Sequence, residues 1–299
     1  MKKVLFAICT IAMLFTLSSC TEKPQTKEIG IQLYSVRSLI GGPEKYAANH
    51  VEVLKAIADM GYTQVEPANY DGEGHLYGVD PEQFRADVEA VGMKVVSSHV
   101  GHQMTPEHLA AKDFTEELEW WKVCIDCHKR AGVKYIVMPS MPRNLEKIED
   151  VQTYCDYYNA IGALCAKEGI KFGYHNHSFE FVKIEDQMFY DYMIEHTNPE
   201  LVFFQMDVWW AVRGNASPVE YFNRYPGRFT CLHIKDKREV GQSGMVGFDA
   251  IFKNAGLAGC KDIVVELEGP GVEDDILKSC AVSAQYLIEA PFVPATYTE

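Results

Sequence analysis

The chain alternates strand-like and helix-like segments eight times, and this alternation constrains its fold more than any other feature. Short runs rich in Val, Ile, Phe and Tyr predict strands at Gly30–Tyr34, Thr63–Glu66, Lys94–His99, Lys134–Met138, Ile170–His175, Leu201–Asp207, Phe229–His233 and Asp262–Glu266. Between and after them, apolar residues at helical spacing predict helices at Pro43–Met60, Pro81–Val91, Phe114–Ala131, Leu145–Glu168, Asp186–His196, Pro218–Tyr225, Gly247–Ala255 and Glu273–Ile288. Asp80-Pro81 opens the second helix, and Gly61, Gly92 and Gly169 close the first, second and fourth. Eight such units in one run predict an α/β protein, a (β/α)8 TIM barrel forming a single domain over residues 29–299. A doubly wound open sheet would carry a glycine-rich phosphate turn after its first strand, and Gly30-Ile31-Gln32-Leu33-Tyr34-Ser35-Val36-Arg37 offers none.

In a barrel of this kind the chemistry gathers at the C-terminal strand ends. The last four predicted strands each end in a metal-type ligand: His175 or His177, then Asp207, His233 and Glu266. Imidazole and carboxylate donors opening onto one end make a mixed nitrogen and oxygen site for one divalent cation, Mn2+, Co2+, Zn2+ or Mg2+. Glu268, two residues beyond Glu266 on the same strand face, is an alternative ligand, and Asp207 alone could be a helix cap. Gln32, Tyr34, Glu66, His99, Ser140, Arg143, Lys235 and Asp236 stand at or just beyond other strand ends. Of these, Gln32, Tyr34, Glu66, His99 and Lys235, together with Glu180, Trp209 and Glu268, are expected to contact a substrate. Trp120-Trp121 reads as helix packing, and at least one of Trp209 and Trp210 is expected to wall the substrate site.

The N-terminus bears on where the protein works. Lys2 and Lys3 precede an apolar stretch, Val4 to Leu17, too short to span a bilayer and ending in Leu17-Ser18-Ser19-Cys20. The pattern resembles a bacterial lipoprotein signal over residues 1–19, with lipid on Cys20 and a polar tether over 20–28. The protein is thus expected to be exported, membrane-anchored and periplasm-facing. Without residues 1–19 the chain has 26 basic and 42 acidic residues, a net charge of −16, which repels phosphate backbones and argues against nucleic acid as a partner. Cys124-Ile125-Asp126-Cys127-His128 matches a haem-attachment pattern, but its place inside a helical stretch favours plain packing.

Taken in order, Gly30 to Arg37, Gly173-Tyr174-His175-Asn176-His177-Ser178-Phe179-Glu180-Phe181, Met206-Asp207-Val208-Trp209-Trp210, His233-Ile234-Lys235-Asp236 and Val265-Glu266-Leu267-Glu268 resemble the xylose isomerase-like barrels, often called sugar phosphate isomerase/epimerases. The resemblance implies one divalent metal held by Glu, Asp, His and Glu at the ends of strands five to eight. Asp207, His233 and Glu266 match the last three. The first is a departure, since His175 takes the place of the expected Glu, with His177 beside it as ligand or acid/base. The resemblance implies proton abstraction next to a sugar carbonyl through an enediolate, with His175, His177 and Glu266 as catalytic groups. It also points to exported relatives that split 3-keto-glycosides by 1,2-elimination, using a keto-sugar supplied by a partner sugar dehydrogenase. A sugar isomerase or epimerase is the alternative. A sugar-binding lipoprotein without catalysis is the non-enzymatic one.

Overall fold

The structure, a computed structural model, describes residues 26–297. The expected lipoprotein signal, Cys20 and all but residues 26–28 of the expected tether lie outside the described residues. The strands are β1 (Gly30–Gln32), β2 (Gln64–Glu66), β3 (Lys94–Val95), β4 (Ser97–His99), β5 (Tyr135–Met138), β6 (Lys171–His175), a hairpin of β7 (Lys183–Ile184) and β8 (Gln187–Met188), then β9 (Val202–Asp207), β10 (Cys231–Ile234) and β11 (Asp262–Val265). Apart from the hairpin they form one parallel sheet in the order β3-β2-β1-β11-β10-β9-β6-β5-β4. β3 and β4 are two halves of the third strand position: Lys94 and Val95 pair with β2, whereas Ser97 to His99 pair with β5. Val96 joins the halves, its N–H donating to Val65 O at 3.0 Å and its carbonyl accepting from Lys134 N at 2.9 Å. The sheet therefore closes into a barrel at this strand, and the predicted (β/α)8 fold is the observed one.

Several boundaries moved. Tyr34 leaves the first strand for a 3-10 turn, Leu33–Val36, because the chain bends at the strand end. Pro106–Ala111 and Val208–Arg213 are short helices outside the eight predicted ones. Lys27, assigned to the tether, is tied to the barrel by its ammonium, which donates to Leu287 O at 2.9 Å and Ala290 O at 2.6 Å.

Strand side chains alternate between two faces, so residues two apart share one. One face packs against the surrounding helices in the main apolar core. The other points into the barrel, where Val96, Tyr135, Val137, Phe203, Cys231 and Val264 form a separate apolar plug. Gly173 leaves the room that the Phe203 ring fills, since a Cβ there would lie 2.5 Å from Phe203 Cζ. Continuing outward in steps of two from this plug come Gln205 and Asp207, His233, and Glu266. The site is the polar top layer of the barrel interior.

Cys124, Cys127 and His128 are all buried on the helix Thr115–Arg130. Both ring nitrogens of His128 are engaged inside the fold, Nδ1 with Cys124 O at 2.7 Å and Nε2 with Ser98 Oγ at 2.9 Å. This packing, not a haem site, accounts for the motif. No helix among the described residues is long and apolar enough to cross a membrane.

Candidate metal centre and substrate cavity

His175, Asp207, His233 and Glu266 each present one donor atom, and the four atoms lie within 4.8 Å of one another. The second side-chain atoms of His175, Asp207 and His233 are engaged elsewhere, which fixes how these three face the cluster. Asp207 Oδ1 caps the helix Val208–Arg213 by accepting from Trp210 N at 2.8 Å, while Oδ2 is buried without a hydrogen-bond partner. His175 donates from Nδ1 to Gln205 Oε1 at 3.1 Å, which leaves the lone pair of Nε2 facing Asp207 Oδ2 across 3.9 Å. His233 Nε2 bonds Glu66 Oε1 at 2.8 Å, turning Nδ1 toward Glu266 Oε2 at 3.2 Å. The neutral His175 thus presents a lone pair toward a carboxylate oxygen, and His233 would do the same once its Nδ1 gave up its proton. Such an arrangement is repulsive unless a cation lies between, so the donor set fits a divalent metal.

Without a cation, protons balance these contacts, and a divalent metal would have to displace the one on His233 Nδ1. Burial lowers the His233 pKa, but Glu66 and Glu266 on either side overcome it and lift it to about 10. Burial, with the negative charge of Glu266, holds Asp207 well above the usual carboxylate range, against the pull of Lys235 and His233. Glu266, whose burial would raise it, is instead held low by Lys235 and His233. Lys235 is itself buried between Glu266 Oε2 at 3.1 Å and Glu268 Oε1 at 2.6 Å.

Beneath the cluster, the buried Glu66 carboxylate is a hub. It accepts from Gln32 Nε2 at 2.9 Å, His233 Nε2 at 2.8 Å, Gln205 Nε2 at 2.9 Å and the Ser97 hydroxyl. Burial would raise its pKa, yet neighbouring His99 and His233 bring it down to about 2. Gln205 Oε1 accepts from both His99 Nε2 at 2.7 Å and His175 Nδ1 at 3.1 Å, so one amide orients two imidazoles. Asn176 clamps the next strand end, accepting from Asp207 N at 3.0 Å and donating to Asp207 O at 3.2 Å. Sequence reasoning missed Gln205 and Asn176. A glutamine inside the apolar run Val202–Met206, two residues before a ligand, was the signal for the first.

Above the cluster opens a cavity of about 710 Å3. Of the predicted substrate contacts, Gln32, Tyr34, His99 and Glu268 line it, as do His175, His177 and Glu266. Others do not reach it. Glu66 and Lys235 lie behind the wall, and Glu180 is fully buried, accepting from Tyr174 Oη at 2.7 Å and His177 N at 2.9 Å. Burial lifts the Glu180 pKa to about 7. Trp209 is also displaced from its expected role: the helix capped by Asp207 turns it into the core, and Trp210 lines the cavity in its place. Trp120, assigned to helix packing, is likewise a cavity residue, together with Tyr70, Phe179 and Arg143. His177 packs against Phe179 and Trp210, with ring centroids 5.9 and 5.5 Å away, and its Nδ1 has no partner. Burial lowers its pKa to about 4, keeping it a neutral acceptor.

The sequence family of the xylose isomerase-like TIM barrel matches residues 54–286. The chain belongs to that family. A solved sugar phosphate isomerase/epimerase from Parabacteroides distasonis is 32% identical and superposes with a TM-score of 0.80 over 95% of this chain and 100% of its own. Among curated relatives, the inosose dehydratase of Geobacillus kaustophilus is 26% identical over 202 residues, which is 62% of this chain and 62% of that protein. The xylose isomerase-like fold is also that of the IOLI protein, whose structure holds a zinc atom, at 14% identity, a TM-score of 0.67 and coverage of 87% and 97%.

Proposed function

We propose that this xylose isomerase-like barrel is a divalent-metal-dependent enzyme of carbohydrate catabolism, a lyase that cleaves 3-keto-glycosides by 1,2-elimination. The observation that carries the reading is the inequality of the two flanks of the ligand cluster. Glu266, ion-paired with Lys235, stands on one flank, and the imidazoles of His175 and His177 stand on the other. Isomerisation and epimerisation return a proton to the sugar and suit two matched carboxylates. An elimination needs one group to take a proton and a different one to assist a departing oxygen. Relatives named as dehydratases support it, since dehydration is itself an elimination next to a carbonyl-bearing carbon.

A divalent cation held by His175, Asp207, His233 and Glu266 would polarise the ketone and stabilise the enediolate left by proton removal. His177 lines the cavity beside His175, and its neutral imidazole is the group that would accept that proton. Gln32, Tyr34, His99 and Glu268 present hydrogen-bonding groups for the sugar hydroxyls, and Lys235 holds the two glutamates in place. Trp210 provides the apolar wall. The 3-keto group must come from an oxidation, so a sugar dehydrogenase is the partner reaction. The apolar stretch before Cys20 supports export and lipid anchoring, which metabolic labelling with a radioactive fatty acid tests by comparing the wild type with Cys20→Ala.

Protein loaded with Mn2+ or Co2+ and given a 3-keto-glucoside should release the aglycone, and should bind close to one metal per chain by elemental analysis. Interconversion of ketoses without aglycone release would overturn the lyase reading. It would favour the second reading, a sugar isomerase or epimerase, which the Parabacteroides relative supports. A protein that retains no metal after replete purification would favour sugar binding without catalysis.

A further inference from the structure

We infer that the cavity has a second compartment, across the barrel from the ligand cluster, that seats a ring in the leaving group of the substrate. The inference rests on the lyase reading and names its substrate class: glycosides whose aglycone is a second ring, and not ring-less alkyl glycosides.

The barrel order supplies the placement. The four ligand-type residues come from β6, β9, β10 and β11, which are neighbours in the sheet. Tyr70 follows β2, and Trp120 lies on the helix that follows β4, so both belong to the opposite arc of the closed sheet. Both nevertheless line the same cavity as His175 and Glu266. A keto-sugar held at the cluster therefore leaves Tyr70 and Trp120 facing whatever projects from its far side. The cavity volume of about 710 Å3 lies well inside the range of roughly 300–1,000 Å3 that accommodates drug-sized ligands, and exceeds what one six-carbon ring fills.

The aromatic pair is preformed. Tyr70 meets Trp120 edge to face with ring centroids 5.5 Å apart, and its other side meets His128 at 5.1 Å. His102 stacks on Trp120 at 4.0 Å and 5°, and is itself fixed through its carbonyl, which accepts from Tyr157 Oη at 2.9 Å. Gly72, at φ +85°, allows the chain after β2 to pass so close that a Cβ there would lie 3.4 Å from Trp120 Nε1. Aromatic faces held this rigidly take a flat ring at little entropic cost, whether an aryl group or the apolar face of a pyranose.

The test separates this inference from the lyase reading by measuring binding as well as turnover. By titration calorimetry on the metal-loaded protein, phenyl β-glucoside and a β-linked glucose disaccharide should each bind at least tenfold more tightly than methyl β-glucoside. Tightening with the phenyl compound alone assigns the compartment to aryl aglycones, and with the disaccharide alone to a second sugar. Equal affinity for all three overturns the compartment. In turnover, Trp120→Ala should lower kcat/KM at least tenfold on an aryl 3-keto-glucoside and less than threefold on the methyl one. Equal losses on both overturn it. Tyr70→Leu is the second variant should Trp120→Ala fail to fold, with the same expectation. If no 3-keto-glycoside is cleaved by the wild type, the lyase reading falls, while the calorimetric comparison still decides the compartment.

Discussion

Glu66→Gln tests whether the buried hub beneath the cluster orients the His233 imidazole for the proposed metal. The exchange preserves volume but replaces one acceptor oxygen with an NH2 donor. Glu66 Oε1 accepts from Gln32 and His233, and Oε2 from Gln205 and Ser97, so the new donor faces donors on whichever side it lies. The Ser97 hydroxyl can rotate to accept, but the Gln205 amide cannot reverse without breaking its bonds to His99 and His175. At least one buried donor loses its partner, at a cost of about 1–3 kcal/mol. For a chain of this length that corresponds to a fall in Tm of roughly 2–10 °C. Independently, the loss of the carboxylate behind His233 should weaken metal binding about 10- to 100-fold, as outer-shell substitutions do. Thermal unfolding of the metal-free protein measures the first effect, and titration calorimetry with Mn2+ the second. A variant that melts normally and binds Mn2+ within threefold of the wild type would refute the reasoning. One that melts lower but binds metal normally would refute the part that concerns His233.

Four further substitutions probe separate links. His175→Asn should lose the bound metal by elemental analysis, whereas His177→Asn should keep it and lower kcat by about 100-fold or more, the scale of a lost general base; the reverse pattern would exchange their roles. Gly173→Ala forces a Cβ against the Phe203 ring and should destabilise the barrel by about 1–3 kcal/mol in denaturant unfolding, and an unchanged midpoint would contradict the packing of the interior plug. His128, pushed down to about 4 by burial, stays neutral in the fold while the unfolded chain takes up a proton near pH 6.5. Its contribution is therefore complete above pH 6.5 and is lost as the pH falls toward 4. The stability gap between wild type and His128→Asn should narrow by about 2–3 kcal/mol between pH 7 and pH 4.5. A gap that is constant with pH would show that His128 is not held neutral.

The parts of this molecule that repeat were legible in the sequence, and those that depend on a single contact were not. All eight strand positions follow from runs such as Tyr135–Met138 and Cys231–Ile234, because a strand covered on both faces must be apolar throughout. The ligand residues stood out for the same reason, as the first polar groups after such runs. Which side of a wall a residue occupies was not legible. Trp209 and Trp210 are adjacent and identical in type, and only the helix turn set by the Asp207 cap sends one to the core and the other to the cavity. Glu66 and Glu268 both follow strand ends. One is swallowed by a ring of donors and the other is drawn to the rim by Lys235, and those partners are 31 to 167 residues apart in the chain or nearly so.

His175 stands where the family resemblance implies a glutamate, and this has a consequence for charge that extends beyond the cluster. Asp207 and Glu266 bring two negative charges to the cluster, and Lys235 already compensates one of them. A third carboxylate at the His175 position would face Gln205 Oε1, an acceptor, and would lose the donor bond that now aligns the imidazole. Gln205 in turn is fixed by Glu66, so His175, Gln205, Glu66 and His233 form one continuous chain of oriented donors and acceptors beneath the metal-binding atoms. The histidine is therefore built into the floor of the barrel. Introducing the glutamate that the resemblance implies, by His175→Glu alone, should leave its carboxylate opposed to Gln205 and fail to produce an epimerase. The paired change with Gln205 replaced by a donor is the one that could.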